Sequence, residues 1–332
     1  MPDDVAPIPV LLVTGFLGAG KTTLIGRMLD DPAFAGSALL VNEVGEIGID
    51  QELLIRNGSP PPQLLANGCV CCVMNDDLGL ALRDLDLRKR EGSIPSFARV
   101  IVETTGVADP APILARFIAD GWIQRHFVLS AVITLVDGVL GAQTLHHQPE
   151  AASQAAHADA ILISKADLAD GDAIAVLSDR LSATAPHAKI LVADSEEAAV
   201  GRLLEPFRLL GLRALPQDHG HGHHHGHDHD HALVTTASWR FDDVLPWPAI
   251  AGALDDVVTA HRGRLMRIKG LLRVSDTDRP VVIDGVQDLF HPPRLLDQWP
   301  TDDHSSRIVM ISRDASSEEA MRALQRALFP VS

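Results

Sequence analysis

Two short stretches of this sequence place reactive residue types close together. The first, G-F-L-G-A-G-K-T from Gly15 to Thr22, fits the pattern G-x-x-x-x-G-K-[ST]. In such a loop, Gly15, Gly18 and Gly20 let backbone N–H groups curl around phosphate oxygens. Lys21 brings a cation to the β- and γ-phosphates, and Thr22 offers its hydroxyl to Mg²⁺. The second stretch, N-G-C-V-C-C-V-M-N-D from Asn67 to Asp76, holds all 3 cysteines of the chain: Cys69, Cys71 and Cys72. Three thiols cannot all pair within the chain, which makes a disulfide framework a poor explanation for them. If the backbone bends at Gly68, three thiolates can face one point and hold a soft or borderline ion: Zn²⁺, Co²⁺, Ni²⁺ or Cu⁺. Three protein ligands leave a tetrahedral ion one position short, which suits hand-over better than structure. Water or an acid of N-E-V-G-E (42–46), with Glu46 the preferred candidate, would complete the shell. A redox pair and a set of inert buried thiols are the competing readings.

Further polar residues stand where apolar runs end. The runs 8–15, 38–43, 99–106, 131–138, 160–167 and 188–194 are rich in Val, Ile and Leu and do not alternate, as strands covered on both faces do not. Between some of them lie helical patterns. Leu24, Ile25, Met28 and Leu29, for example, share one face after the phosphate loop. Alternation of this kind predicts a mostly parallel α/β sheet, whose ligands bind beyond the carboxyl ends of the strands. Glu103 in E-T-T-G ends one run and can hold the Mg²⁺ shell through water, with Gly106 close to a γ-phosphate; a capping or surface acid is the plainer alternative. S-K-A-D (164–167) ends another. Asp167 can accept the two N–H donors on the edge of guanine while the stem of Lys165 packs on the base; otherwise it is a strand-end turn.

Residues 216–231 contain eight histidines among Gly and Asp and no apolar side chain: His219, His221, His223, His224, His225, His227, His229 and His231. This low-complexity arm either gathers metal or is a solvated spacer. It divides a nucleotide domain (1–215) from a smaller α+β domain (233–332), with 216–232 as the linker. In the latter we expect strands at 233–241, 264–274, 280–284 and 306–312, and helices near 246–260 and 317–329. The cluster R-G-R-L-M-R-I-K-G-L-L-R (262–273) has five Arg/Lys and no acid, and reads equally as a docking surface or as a solvent face.

The formal charge of −16 over 332 residues argues against a nucleic-acid binder. No run approaches the roughly 18 apolar residues of a membrane span, and the amino-terminal residues carry acids and prolines instead of a basic leader. We therefore expect a cytoplasmic protein with reduced thiols.

In combination, G-F-L-G-A-G-K-T-T, N-E-V-G-E-I-G-I-D, G-C-V-C-C, E-T-T-G and S-K-A-D resemble the CobW family of metal-handling P-loop GTPases. R-I-K-G (267–270) resembles that family's C-terminal domain, and nickel-insertion GTPases of urease and hydrogenase maturation are similar in the nucleotide domain. The resemblance implies a P-loop NTPase fold with helices on both faces of the sheet, and a GTP-dependent metallochaperone. It implies that Gly15, Gly18, Ala19, Gly20, Lys21, Thr22 and Thr23 bind phosphates and Mg²⁺, and that Cys69, Cys71 and Cys72 bind the metal. N-E-V-G-E-I-G-I-D, with Glu46 and ending at Asp50, would be the nucleotide-sensing switch, and Glu103 would belong to the γ-phosphate end. Lys21, Glu103 and Glu46 are the implied catalytic set. Hydrolysis is expected to be slow without metal or a partner. Zn²⁺ is the first expected cargo, with Co²⁺ or Ni²⁺ as alternatives. A client metalloprotein is the expected partner, and a nucleotide-dependent dimer is compatible with it. The guanine motif of the family usually begins with Asn, where this chain has Ser164. Two rival functions stay open: a P-loop kinase of small molecules, which leaves the thiols unexplained, and a metal store with a vestigial nucleotide site.

Overall fold

In a computed structural model of the chain, the described residues are 6–42, 78–193, 234–300 and 302–329, with the backbone of short strands at 63–64 and 70–74. The first layer comprises β1 (Ile8–Gly15), α1 (Lys21–Asp30), β2 (Ser37–Asn42), β3 (Gln63–Leu64), β4 (Val70–Met74), α2 (Leu78–Arg90), β5 (Arg99–Glu103), α3 (Ala111–Ala119), α4 (Gly121–His126), β6 (Phe127–Asp137), α5 (Gly141–His147), α6 (Pro149–Ala156), β7 (Ala160–Ser164), α7 (Gly171–Thr184) and β8 (Lys189–Val192). The strands lie in the order β3-β4-β2-β5-β1-β6-β7-β8. Every pairing is parallel except that of the two-residue β3 with β4.

The unbroken apolar runs are explained by where successive side chains go. Val10, Leu12, Val100 and Val102 pack with Leu82, Leu85, Leu114 and Phe117 of α2 and α3 on one face. Leu11, Val13, Leu39 and Ile101 pack with Leu24, Ile25 and Met28 of α1 on the other. Both faces are covered, so no position in these strands favours a polar residue until the strand ends. β5 stops at Glu103 and β7 at Ser164, short of the expected ends, while β6 begins at Phe127, four residues before the expected start.

After the segment 194–233 come β9 (Thr235–Phe241), α8 (Trp247–Ala260), β10 (Leu265–Val274), β11 (Thr277–Val286), β12 (Leu289–Phe290), β13 (Arg294–Leu295), β14 (Ser306–Ser312) and α9 (Ser316–Leu328). They form an antiparallel sheet ordered β12-β11-β10-β14-β9, with β13 on β11. Ile268, Leu272, Ile283, Ile308 and Met310 face α8 and α9. Met266, Leu271, Val282, Val309 and Ile311 pack on the opposite side with Ala156 of α6. This second sheet therefore lies between its own helices and the nucleotide domain.

The basic run divides: Arg262, Arg264 and Arg273 are exposed, as a solvent face would be, whereas Arg267 and Lys269 turn inward and correct both sequence expectations. Arg267 is 2% exposed and pairs with Asp159 and Asp284, and Lys269 also pairs with Asp159. The acidic partner sits in the same chain, on the segment leading into β7. Alternation along β10 puts Arg267, Lys269 and Leu271 on one face, and that face meets the first domain. Among the described residues no helix is long and apolar enough to cross a membrane.

Candidate functional site

The phosphate loop is shaped by its glycines. Gly15, Gly18 and Gly20 have φ of 142°, 76° and 92°, a region that L side chains enter at a cost. Gly20 caps α1 without any side-chain hydrogen bond, so no side chain of the cap competes for the N–H groups of the first turn. Ala19 is buried, and its N–H closes the loop on the Phe16 carbonyl. The Lys21 ammonium bends back to donate to the carbonyls of Gly15 (2.8 Å) and Phe16 (3.3 Å), which holds its charge over the loop. Thr23 is exposed on the first turn of α1.

Two neighbouring strands bring the acid to the loop. Thr22 Oγ1 donates to Glu103 Oε1 at 3.2 Å, although 81 residues separate them. Glu103 is itself buried at the end of β5. The next residue, Thr104, donates its N–H to the Val13 carbonyl and its hydroxyl to Thr14 Oγ1 (2.8 Å), which locks the ends of β5 and β1 together. Gly106 runs against the phosphate loop so closely that a Cβ there would lie 2.8 Å from the Leu17 nitrogen. A hydroxyl beside a carboxylate, next to an uncapped helix N-terminus, fits Mg²⁺ and a polyphosphate: hard oxygen donors for the ion, N–H donors for the anion.

The S-K-A-D segment follows β7. Ser164 Oγ donates to the Ala19 carbonyl at 2.8 Å, tying this segment to the phosphate loop across 145 residues. Lys165 has a φ of 54°, and its ammonium pairs with Asp137 Oδ2 at 2.5 Å. Burial pushes the Asp137 carboxyl up, but Lys165 and the N–H groups of Leu140 and Val139 outweigh it and hold the carboxyl below its ordinary range. Asp167 lies in the exposed turn Ala166–Leu168. Sequence reasoning gave Asp137 no role beyond ending a strand. Its signal was the pattern V-D-G at a strand end, where an acid caps the following turn.

Three predicted groups, the loop 15–22, Glu103 with Gly106, and Ser164 with Lys165, meet together with Asp137 at the carboxyl ends of β1, β5, β6 and β7. The thiol region is only partly in view. Cys71 and Cys72 stand on β4 opposite Leu39 and Leu40 of β2, with Gln63 opposite Cys71 on the other side. Cys69, Glu46, Asp50 and the arm His219–His231 lie outside the described residues. Among the described residues, no group of three His, Cys, Asp or Glu could hold a metal ion.

Comparison with known proteins identifies the family of both domains. Residues 9–192 match the family described as CobW/HypB/UreG, nucleotide-binding domain, and 234–328 match the cobalamin synthesis protein cobW C-terminal domain. The chain is 30% identical over 286 residues to the zinc chaperone YjiA of Escherichia coli, covering 86% of this chain and 87% of that protein. It is 31% identical to the zinc chaperone CobW of Pseudomonas aeruginosa, covering 97% and 92% respectively. The crystal structure of Zn(II)-bound YjiA GTPase from E. coli superimposes with a TM-score of 0.75 at 28% identity, over 96% of this chain and 98% of that one. The chain therefore belongs to the CobW family, with its nucleotide-binding and C-terminal domains both present.

Proposed function

We propose that this protein is a GTPase that binds a transition metal ion, Zn²⁺ first, and delivers it to a client metalloprotein. The observation that carries the nucleotide half is the Thr22–Glu103 hydrogen bond beside the uncapped N-terminus of α1. An acid and a hydroxyl side by side next to that N-terminus support the reading of a Mg²⁺ and nucleotide-phosphate site. The metal half rests on the three clustered thiols and on the relatives named as zinc chaperones.

In this reading Lys21 releases its carbonyl partners and pairs with the β- and γ-phosphates. Thr22 and Glu103 would hold Mg²⁺, which would supply charge neutralisation for the terminal phosphates. Lys165 packs on guanine and Asp167 accepts from its edge. Ser164 keeps the base-reading turn in register with the phosphate loop through Ala19. Water then displaces GDP from the γ-phosphoryl group, giving GDP and phosphate. Cys69, Cys71 and Cys72 hold the cargo ion as thiolates, with Glu46 as the fourth ligand in the GTP-bound state. The segment ending at Asp50 senses the γ-phosphate, and losing Glu46 after hydrolysis loosens the ion for transfer. The His-rich arm, His219 to His231, collects metal at lower affinity. Co²⁺ and Ni²⁺ suit the same ligands, and a reducing cytoplasm keeps the thiols available.

The test titrates Zn²⁺ and Co²⁺ against a competing chelator in reduced protein, with and without residues 219–231. Each titration is run with Mg²⁺ plus GDP or a non-hydrolysable GTP analogue. One tight equivalent that strengthens with the analogue and disappears in Cys71→Ser is expected. Equal affinity with both nucleotides would defeat the gating. Transfer of phosphate to a small-molecule acceptor would defeat the GTPase assignment in favour of a kinase.

A further inference from the structure

The segment 106–109 follows Glu103 and touches the phosphate loop, yet it is held in place by residues far away in sequence. Gln154, in the last turn of α6, is fully buried. Its Nε2 donates to the carbonyls of Gly106 and Ala108, both at 3.0 Å. Only the NH₂ end of the amide can serve two carbonyls, so the partners fix its orientation. Oε1 is left buried with no hydrogen-bond partner, a cost that a purely space-filling role would avoid. The Gln154 carbonyl in turn accepts from Thr134 Oγ1 at 2.8 Å, which anchors α6 to β6. Val107, between the two clamped carbonyls, points outward and is 52% exposed. The grip is therefore on backbone alone.

A second hold lies one residue along. Ser153 Oγ donates to Asp109 Oδ1 at 2.8 Å, and Asp109 Oδ2 accepts from Arg313 of the C-terminal domain at 3.0 Å. Gly106, at the near end of this segment, lies directly against Leu17 of the phosphate loop, with no space between them for a side chain.

We propose that Gln154 is a positioning residue that sets the Gly106–Ala108 backbone for the γ-phosphate, with Ser153, Asp109 and Arg313 extending the same hold to the C-terminal domain. This rests on the GTP-site reading above. GDP has no γ-phosphate, so releasing the clamp separates the two nucleotides, whereas general damage to the fold weakens both alike. Arg313 lets the C-terminal domain bias the segment without touching nucleotide.

The experiment compares full-length wild type, Gln154→Met and Arg313→Ala. Methionine keeps the length and bulk of the side chain and removes both donors. Affinities for Mg²⁺·GDP and for a Mg²⁺·GTP analogue are measured, together with kcat and KM for GTP and thermal melting. In Gln154→Met the preference for the analogue over GDP is expected to fall about tenfold, the scale of one or two buried hydrogen bonds. GDP affinity should stay within about twofold, and kcat should fall more than KM rises. Equal losses for both nucleotides, or an unchanged ratio, would overturn the proposal. Should Gln154→Met fail to fold, Arg313→Ala decides, because that side chain is 64% exposed and its loss leaves the core intact. A smaller shift of the same sign is expected there, and an unshifted ratio counts against the proposal. Wild-type protein that binds no GTP analogue would instead remove the nucleotide-site reading itself.

Discussion

At Gly15 two constraints coincide: a φ of 142°, and a neighbouring strand whose Leu135 carbonyl oxygen would lie 2.5 Å from a Cβ. An alanine there must push β1 away from β6 at the point where the phosphate loop begins. Gly18 differs, because its φ of 76° is strained for other residues while a Cβ would meet nothing within 4 Å. Gly18→Ala should therefore cost about 1 kcal/mol of left-handed strain. Gly15→Ala should cost about 2–3 kcal/mol more from backbone displacement, read from denaturant midpoints of the two variants. Lys21 presents the opposite case, since its interest lies in chemistry more than in packing. Lys21→Ala is expected to lower kcat for GTP by on the order of 10²–10³-fold, as when one preorganised charge is withdrawn from a transition state. GDP should still bind through the backbone N–H groups, and a variant with near wild-type kcat would dismiss Lys21 as a phosphate ligand.

Among the elements, the strands of the nucleotide domain were legible because both faces are covered and their sequences are unbroken apolar runs. β4 was not, since V-C-C-V-M is short and its cysteines drew a chemical reading before a structural one. Arg267 and Lys269 of β10 were misread because their partner Asp159 is 108 residues away from Arg267, and local charge patterning carries no information about such a partner. That interface also sets an acid limit. Burial and then the Arg267 guanidinium hold the His157 imidazole down to about 4, against an ordinary value of 6.5, and the N–H···O bond to Ser153 does not offset them. His187, equally buried, is lowered by desolvation and then by Lys269 and Arg267. Both are neutral in the fold and bind a proton more readily when unfolded, so their contribution is complete above pH 6.5 and declines as pH falls toward 4. From His157 alone the loss between pH 7 and pH 5 is about 2 kcal/mol. Asp159 shifts the same way: Arg267 and Lys269 outweigh the effect of burial and depress its pKa, so its contribution is lost only below the ordinary carboxylate range. Stability measured across pH 5–7 should thus slope upward in wild type and flatten by about that amount in His157→Gln, whatever the absolute stability of the variant. Arg267→Ala, which leaves the buried Asp159 carboxylate with Lys269 as its one cation, should cost about 3 kcal/mol at pH 7.

For the whole molecule, the arrangement of the domains decides what a bound nucleotide can influence. The C-terminal sheet rests one face on the nucleotide domain through Met266, Leu271, Val282, Val309 and Ile311, while Arg267, Lys269 and Arg313 pin it to Asp159 and Asp109. The net charge of −16 draws metal cations to the surface in general, and eight histidines of the arm add weak ligands. A raw zinc titration therefore mixes nucleotide-linked and unlinked binding. Linkage separates them, because an effector and a ligand must change each other's affinity by the same factor. If a GTP analogue tightens Zn²⁺ at the thiols tenfold, Zn²⁺ must tighten the analogue tenfold, a coupling of about 1.4 kcal/mol. Calorimetry in both orders, on protein with residues 219–231 removed, should return equal factors. Cys71→Ser should bring both factors to one while leaving GDP affinity unchanged. Unequal factors would mean that metal bound elsewhere on this acidic surface also senses the nucleotide. Equal factors of one in wild type would falsify gated delivery and leave two sites on one chain that do not communicate.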